Sequence, residues 1–167
     1  MSFRGSLIIE GEHEWRIHVA DDVRTLPRAS EPAAIVATVK ELLANSKGVH
    51  SGCIIAPTST SCFFCYLSLP PEIDTRDRRS LIYELENHLP IDAESMAADF
   101  SMLPAADHED PRLHGRSVSA VAVEVDDWKP LANKLEAADI PVSHIIPSAI
   151  LAMASVHEKH AFVGVSS

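Results

Sequence analysis

Basic residues are scarce in this sequence: 14 Lys and Arg stand against 24 Asp and Glu, for a net charge of −10. A surface for nucleic-acid phosphates needs clustered cations, so this balance argues against nucleic acid as the main partner. Cysteine is scarcer still, at positions 53, 62 and 65 only. An odd count makes a poor disulfide framework and fits a reducing compartment. No run approaches the roughly 18 apolar residues that cross a bilayer. The opening Met1-Ser2-Phe3-Arg4-Gly5 lacks the charged-then-apolar layout of a secretory signal. The Ser/Thr-rich stretch 58–61 has no glycine to let backbone N–H groups approach a phosphate, and no Gly-Lys-Ser/Thr follows it. There is no Gly-x-Ser-x-Gly nucleophile elbow either. What is present is 167 residues, 46% apolar and 23% charged, enough to bury a core in one domain or two small lobes.

Periodicity gives an α/β chain with a mixed sheet. Leu7-Ile8-Ile9 and the alternating Trp15, Ile17, Val19 flank the polar Glu10 to Glu14 and predict an antiparallel hairpin. Residues 21–30 are expected to be a loop. Ser30 is the expected cap of a helix that carries Pro32 in its first turn and Ile35, Val36, Val39, Leu42 and Leu43 on one face. Cys53-Ile54-Ile55-Ala56 is a short buried strand closed by Pro57. An apolar strand from about Cys62 then stops at Pro70-Pro71. A charged amphipathic helix follows from about Asp74 to His88, capped by Asp74 or Thr75 and stopped by Pro90. Its inward side holds Leu81, Ile82, Leu85 and Leu89. Strand-like runs come next at 98–103 and 117–125, separated by a polar loop at 104–116. A helix with Trp128, Leu131 and Leu135 inward starts at Asp126 or Asp127, and Pro130 falls early enough to be tolerated. A strand at 142–146, a short helix after Pro147 and a last strand at 161–165 complete the reading.

Candidate chemistry is thin. Cys62 and Cys65 lie three apart on a strand, so their side chains point to opposite faces and read as core cysteines. His157 and His160 have helical spacing but no third ligand near them in sequence. The carboxylates Glu94, Asp99, Asp107, Glu109 and Asp110 read as a solvated acidic region. No catalytic, cofactor or metal-binding set is therefore assigned. The outward side of the charged helix is different: Arg76, Arg79, Tyr83 and Glu86 form a stripe. Tyr and Arg are enriched among interface hot spots, so this stripe is the candidate partner-binding site. The plainer alternative is an ordinary solvated face on which Arg79 stacks on Tyr83.

Leu69-Pro70, then Arg79-Ser80-Leu81-Ile82-Tyr83-Glu84-Leu85-Glu86-Asn87-His88-Leu89-Pro90-Ile91-Asp92, then Ala98-Asp99-Phe100 resemble a pattern of the actin-like assembly proteins of the PilM/GspL group. These proteins serve type IV pilus assembly and type II secretion. The runs from Val121 to Trp128, Leu135 to Pro141 and Ile145 to Ala152 extend the resemblance over nearly the whole chain. It implies the first lobe of an actin-like (ribonuclease H-like) fold from residues 1–57 and 117–160. Residues 61–116 would form an inserted strand–helix–strand–strand module whose last strand lies near 117–125, and 161–167 would open a second lobe. The implied role is a non-enzymatic, cofactor-free cytoplasmic scaffold at the inner membrane, held there by a downstream segment or a partner. Its implied partners are the secretion or pilus ATPase and inner-membrane platform proteins, with a homodimer as a further state. The alternative is the front half of an actin-like ATPase of the cell-division or sugar-kinase type. Against it, Glu10-Gly11-Glu12-His13 stands where nucleotide-binding relatives carry Asp-x-Gly-Ser/Thr.

Overall fold

The computed structural model of the chain describes residues 5–46, 52–103 and 116–152. It divides into two compact units. The first holds the described residues up to Ser61 and from Trp128 onward, and the second is Cys62–Asp127.

The first unit is built on a mixed sheet. β1 (Ser6–Glu10) and β2 (Glu14–Val19) form the expected hairpin, with Ile8 opposite Ile17 and Glu10 opposite Trp15. Gly11 is required in its turn: a Cβ there would lie 2.7 Å from the Glu14 carbonyl oxygen, which accepts the Gly11 N–H at 2.8 Å. Residues 21–30 are not simply a loop. β3 (Asp22–Pro27) pairs antiparallel with β2 along its whole length. Its side chains are nearly all exposed, and the turn into it runs through Ala20 at φ 53. Neither the apolar alternation nor the glycine that signals such a turn is present.

α1 (Pro32–Asn45) packs against β2 and β3 and buries Ile35, Val36, Val39 and Leu42. Its N-cap is Glu31, whose side chain makes no capping bond, so Ser30 is not the cap. Pro32 alone marks the start, because its fixed φ suits the first helical position. β4 (Cys53–Ala56) runs parallel to β1, and β8 (Val142–Ile145) runs parallel to β4, giving the order β3-β2-β1-β4-β8. Gly52 leads into β4 at φ +121, a backbone state that L side chains rarely adopt.

α3 (Val125–Glu136) buries Trp128, Leu131 and Leu135, and Trp128 meets Trp15 edge-on with centroids 6.3 Å apart. Asp126 and Asp127 sit in its first turn, where carboxylates favour the positive end of the helix dipole. Pro147 opens a last helical turn at 148–152 by accepting from Ile150 and Leu151. The strand expected at 161–165 lies outside the described residues.

The second unit is a three-stranded antiparallel sheet covered by one helix. β5 (Phe63–Ser68), β6 (Met96–Met102) and β7 (Ser117–Glu124) lie in the order β5-β7-β6. β7 is the central strand, so residues 117–124 pair within this unit, as the last strand of the expected strand–helix–strand–strand order. α2 (Arg78–Glu86) lies on the face formed by Cys65 and Leu67 of β5, Ala98 of β6, and Val118, Ala120 and Ala122 of β7. Leu81 and Leu85 are buried there, with Ile82 and Leu89 half-buried beside them. The alanines on the central strand leave room for the leucines to approach closely.

α2 is shorter than the expected 74–88 span. Its N-cap is Asp77, which accepts from the Arg79 N–H at 3.0 Å and the Ser80 hydroxyl at 2.5 Å. Asp74 is engaged in a separate turn, accepting from the Arg76 N–H at 2.9 Å. The loop before it is held by Arg116, whose guanidinium donates to the carbonyls of Leu69, Pro70 and Ile73.

Candidate docking surface

Leu81 and Leu85 fix the rotation of α2, so Arg79 and Tyr83, at the spacing that shares one helical face, are turned to solvent. The Arg79 guanidinium carbon lies 5.6 Å from the centroid of the Tyr83 ring, and its Nη2 donates to the Tyr83 hydroxyl at 3.5 Å. That bond pushes the guanidinium pKa further up, so the charge is held in place over the ring. The other two stripe residues are placed differently. Arg76 lies in the turn ahead of the helix, because α2 begins only at Arg78. Glu86 is half-buried and accepts from the Ala93 N–H at 3.0 Å, which ties the end of α2 to the 3-10 turn Ala93–Ser95. Arg79 and Tyr83 are therefore brought together, while Arg76 lies ahead of the helix and Glu86 has a local structural task.

Between α2 and that turn runs an open groove of about 350 Å³, lined by Arg78, Arg79, Ile82, Tyr83, Ala93 and Glu94. Arg78, which the sequence did not single out, forms one wall. It is anchored to β6 through Asp99 Oδ1 at 3.2 Å and the Ala98 carbonyl, with its guanidinium over Phe100. A second surface was also missed. Phe64 and Tyr66, 52% and 62% exposed, project from β5 on the side opposite α2. The alternation Phe63-Phe64-Cys65-Tyr66 carries that signal, since Phe63 and Cys65 pack on the core and their neighbours must face away.

In the first unit, the carboxyl end of β1 is closed by its own side chains. Glu10, 2% exposed, pairs with Arg28, and its other carboxylate oxygen accepts from the Thr58 N–H at 2.9 Å. Arg28 lies 4.8 Å over the Trp15 ring, and the Trp15 indole N–H donates to the Arg28 carbonyl at 3.0 Å. Ligands of open α/β sheets sit outside the carboxyl ends of parallel strands. Here the ends of β1 and β4 are bridged by a protein carboxylate that already holds a backbone donor and a cation. Among the described residues no group of three or more His, Cys, Asp and Glu is placed to hold a metal ion. His157 and His160, and Asp107, Glu109 and Asp110, lie outside the described residues. Among those described, no helix is long and apolar enough to cross a membrane.

No protein-family model and no curated protein matches the sequence. Solved structures do match. Over 89% of this chain and 48% of the other, at 15% identity and TM-score 0.63, the structure is similar to a chain of a PilM–PilN type IV pilus biogenesis complex. Over 85% of this chain and 56% of the other, at 15% identity and TM-score 0.52, it is similar to the cytoplasmic domain of EpsL, an inner membrane component of the type II secretion system of Vibrio cholerae. The chain thus spans about half the length of each neighbour, and its fold is the mixed α/β, actin-like fold of the PilM/GspL kind.

Proposed function

We propose that this chain is part of a non-enzymatic cytoplasmic scaffold of a type II secretion or type IV pilus machine, and that it docks the machine's ATPase to the inner-membrane platform. The observation that carries the reading is the fold, traced over most of the chain against a pilus biogenesis protein and a secretion component. In this reading Cys62–Asp127 is the inserted module of a first lobe, and Arg79 and Tyr83 present the docking surface. The Glu10–Arg28–Thr58 cluster weighs against the ATPase alternative, because the donors at the end of β1 and β4 are already engaged by a protein carboxylate. The test is affinity co-purification of the parent protein from its own cells, with mass spectrometric identification. A secretion or pilus ATPase and a platform protein should be enriched together. Enrichment of neither overturns the scaffold reading.

A further inference from the structure

The groove beside α2 combines features that select a ligand. Its floor is apolar: Ile82 packs on the core from one side and lines the groove from the other, next to Ala93 and Tyr83. Its two cations are not equivalent. Arg78 is held by Asp99, whereas Arg79 forms no ion pair at contact distance among the described residues. The nearest carboxylate in sequence, Asp77, accepts from Arg79 N and Ser80 Oγ and acts on the Arg79 charge only at longer range. Arg79 thus presents a cation without a contact ion pair in a chain with net charge −10. Arg79 is also preorganised by the Tyr83 ring, so little side-chain freedom is lost when it engages a planar anion.

We propose that this groove receives a short acidic segment of a partner protein, with a carboxylate on Arg79 and one large aliphatic side chain on the Ile82–Ala93 floor. The partner class rests on the docking reading above, while the chemistry of the segment rests on the groove alone. Charge complementarity selects the occupant. Guanidinium forks bind carboxylates in two-pronged geometry, and an Arg–Tyr pair next to an apolar floor has the composition of a binding hot spot. The volume of about 350 Å³ suits a few side chains, at the lower end of ligand sites. Glu94 on the rim repels a carboxylate at that side and so sets the direction in which the acidic residues run. A second copy of this chain is the poorer occupant, since two chains of net charge −10 repel one another.

Fluorescence anisotropy with the whole chain tests this. The probes are a short fluorescein-labelled peptide of Glu residues around a central Leu, its counterpart with Lys in place of Glu, and its counterpart with Gly in place of Leu. The Glu/Leu peptide should bind saturably and release as salt rises. Both counterparts should bind at least about tenfold more weakly. Arg79→Glu and Tyr83→Ala should each weaken the Glu/Leu peptide by about tenfold or more, with unchanged thermal melts. Equal binding of the Lys peptide, no binding of the Glu/Leu peptide, or unchanged binding by Arg79→Glu overturns the proposal. So does light scattering that shows a dimer dissolved by Arg79→Glu, which would assign the groove to a second copy. The titration needs only the purified chain. A failed co-purification beside a positive titration sinks the scaffold reading alone, and the reverse sinks the groove alone.

Discussion

Removing the Glu10 carboxylate would leave the Thr58 N–H without its acceptor and Arg28 without its counter-ion, at a position only 2% exposed. Breaking a fully buried pair costs about 3–5 kcal/mol. Arg28 is 44% exposed and partly solvated, so Glu10→Ala is expected to destabilise by roughly 2–3 kcal/mol, read by chemical denaturation. Glu10→Gln keeps an acceptor for Thr58 and should cost less. The sequence shows the Glu10-Gly11 turn, but the bonds to residues 18 and 48 positions away arise only from folding. His18 gives the pH dependence. Burial first, and the Arg16 charge second, lower its pKa below 6.5, and its Nε2 has no partner among the described residues. Below 6.5 the unfolded chain therefore takes up a proton that the folded chain resists, and stability falls as pH falls until the folded value is passed. Melting temperatures from about pH 8 to about pH 5 should decline less in His18→Gln than in wild type.

α2 shows how far element boundaries were legible. Its apolar spacing and its stop near Pro90 are written in the sequence, and Leu81 and Leu85 are buried as that spacing requires. Its start was not, because Asp74, Thr75 and Asp77 are all competent caps, and in the fold Asp77 takes the cap while Asp74 holds the turn before it. Asp77→Ala should therefore lower the melting temperature more than Asp74→Ala. Hydrogen bonds from Ser80 and then from Arg79 N hold the Asp77 carboxyl below 3.8. Its contribution is complete above the ordinary carboxylate range and is lost as pH falls through that lowered value, so the two variants should converge in strong acid. The two faces of α2 should separate cleanly. Leu85→Ala, fully buried, should cost roughly 2–5 kcal/mol, whereas Tyr83→Ala, exposed, should cost less than about 0.5 kcal/mol in the same denaturation series. β3 marks the opposite limit of legibility, since main-chain pairing with β2 forms it with almost no buried side chain.

At the scale of the molecule, the mixed α/β class was readable from strands and helices in alternation, while the strand order was not. That residues 117–124 lie between β5 and β6 follows only from pairing with both. The closed end of β1 and β4 predicts that calorimetry with Mg-ATP will give no saturable binding at micromolar strength. Saturable binding would return the ATPase reading to the front.

Phe63, just after the chain enters the second unit, lies opposite Ala122, just before the chain leaves it. Entry and exit of the second unit are thus paired strands, about 5 Å apart. A chain segment that begins and ends on one strand pair closes on itself, so a substitution on the exposed side of α2 leaves the register of β1, β4 and β8 untouched.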